Sequence, residues 1–155
     1  MDTRVIRLLE SNNVSYRLLP HDEPVYTVAA AAAQRGVVKE EMVKSILLRD
    51  KNRRFVMACV TGDARLDPKA VRAYLGGEWA RLRFASAEEI RQKTGYLQGA
   101  VAPVGLPEDV PVIFDEAIRR CRKVNISSGD PLAGLELDPE DLISLAGAKV
   151  ASIAE

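Results

Sequence analysis

The residue with the most unusual setting in this sequence is a lysine inside an apolar segment. In the run from Met42 to Leu48, an alternation of period two places Lys44 on the same face as Met42, Ile46 and Leu48. An ammonium group against an apolar face is costly unless an anion compensates it or its head reaches water. Lys44 is therefore either a strand-end lysine with a solvated head or part of a functional cleft.

Two glycine-containing loops could bring backbone amide groups close to a ligand. Gly99 and Gly105 flank Pro103, and the segment 127–129 reads Ser-Ser-Gly. Such loops can direct several N–H groups at a carbonyl or phosphate oxygen, although most of them are only turns. Both loops are candidate binding segments to set beside Lys44.

Other reactive side chains are few and carry no standard catalytic motif. His21 is the only histidine, and the flanking Pro20 and Pro24 favour a turn rather than a base. Cys59 lies in an apolar run and Cys121 between arginines, and neither has the spacing of a disulfide or a zinc site. The sequence predicts no metal and no organic cofactor.

The composition predicts an ordinary globular chain with no extended nucleic-acid surface. The 155 residues fit one domain, 1–155, with 47% hydrophobic and 28% charged residues. Because 22 basic residues balance 22 acidic ones, any nucleic-acid contact should be local, for instance at the basic segment 119–123. We find no long apolar or signal segment, so we expect a cytoplasmic protein with no membrane partner.

Local signals predict an α+β fold. Helix starts are indicated at Thr27, at Asp67-Pro68, at the Ser86–Glu89 capping box and at Asp138-Pro139. About seven strands are expected among the segments 15–19, 42–48, 54–60, 80–84, 110–114, 123–126, 135–137 and 149–153. The segment between the strands 110–114 and 123–126 is predicted as an acidic-to-basic turn. The whole predicts a mixed, largely antiparallel sheet with four or five surrounding helices.

Five sequence blocks, taken in order, resemble the YbaK and prolyl-tRNA synthetase insertion-domain family of trans-editing aminoacyl-tRNA deacylases. The blocks are His21 with 24–28, then 43–47, then Gly95-Tyr96 with 99–105, then 127–129, then Leu137 with 141–142. Together they cover nearly the whole chain, and the second and third are the most specific. The resemblance favours Lys44 as a site residue.

The resemblance also implies a YbaK-like fold and a set of functional residues. It implies catalytic roles for Lys44 and for Gly99, which begins the glycine-to-proline substrate loop 99–103. The residues implied to bind substrate are His21, Tyr26, Thr27, Ala100, Val101, Ala102, Pro103, Ser127, Ser128 and Gly129. Ala100, Ala102 and Gly134 depart from what many relatives carry, which leaves the accepted amino acid open.

The implied function is hydrolysis of the ester in a misacylated tRNA carrying a small residue such as alanine, serine, threonine or cysteine, with tRNA(Pro) as one carrier. In this picture Lys44 anchors the terminal phosphate or ribose, the 99–103 amides hold the aminoacyl group, and water attacks. A small pocket would exclude larger side chains. The partner is the aminoacyl-tRNA 3′ end, and a synthetase is a second partner to test; the oligomeric state stays open.

Two alternatives belong to other functional classes. The first is a catalytically inactive regulatory module of the same fold that binds an aminoacyl group or a free amino acid, or docks on a synthetase. The alanines at 100 and 102 favour it. The second is a small metabolic hydrolase acting on an unrelated ester.

Overall fold

The computed structural model describes residues 1–155 and contains six α-helices, one 3-10 turn and eight strands. The helices are α1 (Arg4–Ser11), α2 (Val28–Arg35), α3 (Pro68–Leu75), α4 (Ala87–Thr94), α5 (Glu116–Arg120) and α6 (Pro139–Ala146), with the 3-10 turn at Lys39–Glu41. The strands are β1 (Tyr16–Pro20), β2 (Val43–Arg49), β3 (Phe55–Thr61), β4 (Arg83–Phe84), β5 (Val112–Asp115), β6 (Val124–Ser127), β7 (Ala133–Leu137) and β8 (Lys149–Ala151).

The strands form two sheets. The larger has the order β4-β2-β3-β5-β8, and the smaller has the order β1-β7-β6. Four of the six strand pairs are antiparallel, while β3–β5 and β5–β8 are parallel. The α+β class and the largely antiparallel character are confirmed. The strands divide between two sheets, however, and there is one strand and at least one helix more than predicted.

The helix starts that the sequence indicates are the ones the structure uses. The Thr27 side chain accepts a hydrogen bond from the N–H of Ala30 at the start of α2, which ends at Gly36 in the left-handed conformation. Ser86 and Glu89 form the capping box of α4. The predictions succeed here because capping depends on residues three or four positions apart.

The segment predicted as a turn contains helix α5. The side chain of Asp115 caps it by accepting from the N–H of Ala117, and Ile118 is fully buried beneath it. Five residues are too few to display a helical period in the sequence. The turn prediction is therefore wrong, because the helix is defined by its cap and its burial rather than by a repeat.

Strand β2 lies between two apolar clusters. Val43 and Leu47 belong to the larger cluster, whereas Leu48 and the partly buried Ile46 belong to the second. Lys44 therefore shares a face with Ile46 and Leu48, as the alternation predicts. Met42 precedes the strand and packs instead in a third cluster with residues of α2.

None of the helices has the length and apolar character needed to cross a membrane.

Candidate functional site

A cavity of about 330 Å³ opens where α2, β2 and the end of β6 meet the loop that follows α4. Its walls contain Tyr26, Thr27, Val28, Ala31, Arg35, Met42, Val43, Lys44, Ser45, Gly99, Val101 and Ser127. Six of these are residues that the sequence predicts for the site: Tyr26, Thr27, Lys44, Gly99, Val101 and Ser127. The fold thus brings together residues separated by up to a hundred positions.

Lys44 presents a fixed cation to this cavity. Its side chain is partly buried, and its Nζ donates a hydrogen bond to the carbonyl oxygen of Ala64 at 2.8 Å. It takes part in none of the ion pairs of the protein. Because an ammonium group carries three donors, two of them remain for a ligand.

Gly99 is required by the close approach of two backbone segments. Its φ of +89° lies in the region that favours glycine, and an added Cβ would lie 3.0 Å from the Cα and carbonyl oxygen of Tyr26. Tyr96, which precedes Gly99, is buried, and its hydroxyl donates across the same loop to the carbonyl oxygen of Val104 at 2.6 Å. These contacts fix the loop against the segment that leads into α2.

The loop has two amide groups that are free to bind an oxygen atom. The N–H of Ala100 donates to the carbonyl oxygen of Leu97 at 2.9 Å, but the N–H groups of Gly99 and Val101, two residues that line the cavity, donate to no acceptor in the protein. The side chains of three predicted residues, Ala100, Ala102 and Pro103, are buried and do not line the cavity. Their contribution is to the shape of the loop.

The second predicted loop contributes one side chain to the cavity. The Oγ of Ser127 accepts from the N–H of Gly129 at 3.0 Å, so its own O–H can donate to a ligand. The hydroxyl of Ser128 is buried and bonds to the carbonyl oxygen of Ala133 at 2.7 Å. Ser128 and Gly129 do not line the cavity. They hold Ser127 in place.

His21 lies behind the cavity wall and does not line it. Its Nε2 accepts a hydrogen bond from the Nε of Arg35 at 3.0 Å, and its Nδ1 lies 2.8 Å from the carbonyl oxygen of Pro131. A guanidinium can only donate and a carbonyl can only accept, so these partners assign a neutral ring with its proton on Nδ1. Both ring nitrogens are occupied, and His21 positions Arg35.

Arg35 is the charged residue among the six cavity-lining residues that sequence reasoning did not predict for the site. It is the last residue of α2, just before Gly36, where a cation is common because it interacts favourably with the helix dipole. No local pattern separates such a residue from a functional one. Its role emerges only from the contacts with His21 and Gly134, which lie far away in the sequence.

Neither cysteine has the properties of a nucleophile. Cys59 is completely buried, and burial raises the pKa of its thiol to about 12. Burial, together with Glu41 and Asp63, also raises the pKa of Cys121. The structure contains no group of three histidine, cysteine, aspartate or glutamate side chains able to hold a metal ion.

A larger groove of about 860 Å³ runs along α3 but contains none of the predicted site residues. Its lining includes the cations Lys69, Arg72 and Arg81 together with the carboxylates Asp67 and Glu155. The smaller cavity has two cations, Lys44 and Arg35, and no carboxylate. The two depressions therefore differ more clearly in the charge of their walls than in their volume.

An α+β fold with this cavity agrees with the comparisons to known proteins. The family model of the aminoacyl-tRNA editing domain matches residues 22–145, and the chain belongs to this family. EbsC of Enterococcus faecalis, named as a candidate Cys-tRNA(Pro)/Cys-tRNA(Cys) deacylase, is 23% identical over 97% of this chain and 92% of its own. The proline–tRNA ligase of Bacillus licheniformis is 33% identical over 64% of this chain, which spans only 17% of that enzyme.

A solved structure extends the likeness to the whole fold. The crystal structure of a candidate trans-editing enzyme for prolyl-tRNA synthetase superposes with a TM-score of 0.81 at 29% identity. The superposition covers 100% of this chain and 99% of the other. The cavity described above therefore lies within a fold that an editing-enzyme candidate shares over its full length.

Proposed function

We propose that this protein is a trans-acting aminoacyl-tRNA deacylase, which hydrolyses the ester of a misacylated tRNA in the cavity beside Lys44. The observation that carries the proposal is the convergence of one fixed cation, two free amides and one serine hydroxyl, contributed by Lys44, by Gly99 with Val101, and by Ser127. All of these groups can donate hydrogen bonds. They suit the binding of phosphate, ribose and carbonyl oxygens at the 3′ end of an aminoacyl-tRNA.

The chemistry requires orientation more than a strong protein nucleophile. An aminoacyl ester is already activated, so a water molecule can attack its carbonyl carbon once both are held in position. The free amides of Gly99 and Val101 would stabilise the oxyanion that forms. The carbon–oxygen bond to the ribose then breaks, the ribose oxygen takes a proton, and a free amino acid and an intact tRNA result. Lys44 anchors the terminal phosphate or ribose throughout.

The cavity walls support a preference for small acyl groups. Val28, Met42 and Val101 project apolar side chains into a space of about 330 Å³ that must also receive part of the terminal adenosine. Larger side chains would be excluded, which is the logic of a second sieve. We propose alanine, serine, threonine and cysteine as the first substrates to test, and tRNA(Pro) as the first carrier because of the relatives' names.

A panel of misacylated tRNAs tests this function. Single-turnover hydrolysis should be faster than the spontaneous rate for at least one small aminoacyl group, with and without a prolyl-tRNA synthetase added as a second partner. Folded protein that hydrolyses none of them would contradict the proposal. Equal turnover of simple esters and aminoacyl-tRNA would favour a general esterase.

One observation favours a second function, an inactive binding module of the same fold. The cavity contains no carboxylate or histidine that could act as a general base, and the alanines at 100 and 102 add no polar side chain. Titration with a non-hydrolysable aminoacyl-adenosine amide separates the two functions. Tight binding of the amide without turnover of the matching ester would support the binding module.

A further inference from the structure

Arg35 is a partly buried cation that no acidic group neutralises. It lines the cavity and takes part in none of the nine ion pairs in the protein. Burial lowers the pKa of its guanidinium to about 10, which reflects the absence of a compensating charge. A guanidinium held in this way lowers the stability of the fold, and it keeps N–H donors that could bind an anion.

The surroundings of Arg35 are arranged to hold the guanidinium without neutralising it. Its Nε donates to the neutral His21 ring, which is itself fixed by the carbonyl oxygen of Pro131. Gly134 leaves the space that the guanidinium occupies, since an added Cβ there would lie 1.9 Å from Nε. The polar contact recorded for the terminal nitrogens is a weak one, from Nη1 to the sulfur of Met42 at 3.7 Å.

The charge of the cavity indicates which chemical group Arg35 could bind. With Lys44 engaged by the terminal phosphate or ribose of the substrate, Arg35 is the cation that remains without an anion, because no carboxylate lines the cavity. The planar fork of a guanidinium matches a carboxylate with two parallel hydrogen bonds. A carboxylate on the side chain of the aminoacyl group would supply the anion that Arg35 lacks.

We propose that the cavity selects aminoacyl groups that bear a side-chain carboxylate, and that Arg35 is the residue that binds it. Aspartyl is the shortest such group and fits the limit on size. The inference rests on the proposed deacylase function and names its substrate class. His21 and Gly134 act as positioning residues, because they hold the guanidinium and leave room for it.

The test uses pairs of substrates that differ in charge but hardly in size. Single-turnover rates are measured for aspartyl- and asparaginyl-tRNA and for glutamyl- and glutaminyl-tRNA, with alanyl-tRNA alongside. The wild-type protein should hydrolyse the tRNA carrying the acidic residue about tenfold or more faster than the tRNA carrying the matching amide residue. This ratio is the scale of one charge-assisted hydrogen-bond pair. Equal rates for acid and amide would overturn the proposal.

Three variants assign the preference to Arg35. Arg35→Gln should bring the acid-to-amide ratio close to one, and Gly134→Ala should lower it because the new methyl group displaces the guanidinium. Arg72→Gln, in the groove along α3, should keep the wild-type ratio. An Arg35→Gln protein that loses rate equally on acid and amide would overturn the assignment, since Arg35 would then contact the terminal phosphate or the ester.

A binding measurement keeps this inference separate from the proposed function. Aspartyl and asparaginyl amides of 3′-amino-3′-deoxyadenosine cannot be hydrolysed as esters, and their affinities can be compared by calorimetry. Tighter binding of the aspartyl amide would support carboxylate selection even if no tRNA were deacylated. Equal affinity of the two amides would count against it whatever the activity, and thermal unfolding checks that each variant is folded.

Discussion

The cavity beside Lys44 and the groove along α3 differ in how their charges are treated. The groove is larger and contains more cations, yet these are exposed or engaged: Lys69 and Arg81 are exposed, and Arg72 donates to the carbonyl oxygen of Trp79. In the cavity, Lys44 and Arg35 are partly buried and face no carboxylate. A costly, uncompensated charge marks a binding site better than volume does.

The largest expected effect separates two lysines, one from each region. Lys44→Ala should slow deacylation about a hundredfold or more, since one preorganised charge contact in a water-poor site contributes about 3 kcal/mol. Lys69→Ala, which removes an exposed lysine from the groove, should change the rate by less than about twofold. Single-turnover rates on the best substrate of the panel decide this, with circular dichroism as the folding control. Equal losses in both variants would remove the distinction between the two regions.

Two glycines with positive φ sharpen the same comparison. Gly99→Ala should lower the rate about tenfold or more, because the new Cβ meets the backbone of Tyr26 and displaces the free amides. Gly77, in the groove, also has a positive φ, but nothing lies within 4 Å of an added Cβ. Gly77→Ala should therefore lower the free energy of unfolding only because alanine disfavours a positive φ. It should leave the deacylation rate unchanged. The idea fails if Gly99→Ala retains the wild-type rate.

A third prediction concerns stability rather than activity. Burial raises the pKa of Asp50, but hydrogen bonds from the N–H groups of Arg54, Ala80 and Asn52 and from the Arg54 side chain lower it below its usual value. Asp50→Asn should lower the free energy of unfolding by about 2 kcal/mol, because an amide N–H replaces an acceptor in this buried network. Deacylation at a temperature where the variant is folded should match the wild type. A strong loss of rate would instead connect this hydrogen-bond network with the chemistry.

The same carboxylate predicts a pH dependence. Because folding lowers the pKa of Asp50, its ionised form stabilises the protein at neutral pH. This contribution should decline as the pH falls below the unfolded-state value of about 3.9 and vanish below the folded-state pKa. Urea unfolding at a series of acidic pH values should show a weaker decline for Asp50→Asn than for the wild type, and parallel curves would contradict the prediction.

The smallest expected effect concerns the thiols. The buried Cys59, whose pKa is raised to about 12, should resist alkylation in the native protein, while the partly exposed Cys121 reacts slowly. Mass spectrometry of briefly alkylated protein measures the extent of modification at both cysteines. Complete modification of Cys121 should leave deacylation intact, since it does not line the cavity.

The parts of this molecule that the sequence predicts are those with local causes. Thr27, Gly36 and the Ser86–Glu89 box act within one or two helical turns, so their helices are correctly placed. The face of Lys44 follows from period-two alternation in β2. The resemblance to a known family supplies the link between Lys44 and the loop at Gly99, and the structure places both in one cavity.

What the sequence could not predict depends on distant segments that meet in three dimensions. The division into two sheets follows from β1 pairing with β7 across more than a hundred residues. The contact of Arg35 with His21 and Gly134 arises in the same way, because α2 packs near β1 and β7. Single-sequence patterns give no sign of such contacts.

The central claim is that a fixed cation at Lys44, and no histidine base, supports deacylation. It is tested most directly by pH–rate profiles of single-turnover deacylation for the wild type, Lys44→Ala and His21→Ala. We expect a loss of about a hundredfold in Lys44→Ala, a smaller loss in His21→Ala through disturbance of Arg35, and no loss of a limb near neutral pH in either variant. Wild-type rates in Lys44→Ala, or a neutral-pH limb that disappears with His21, would contradict it.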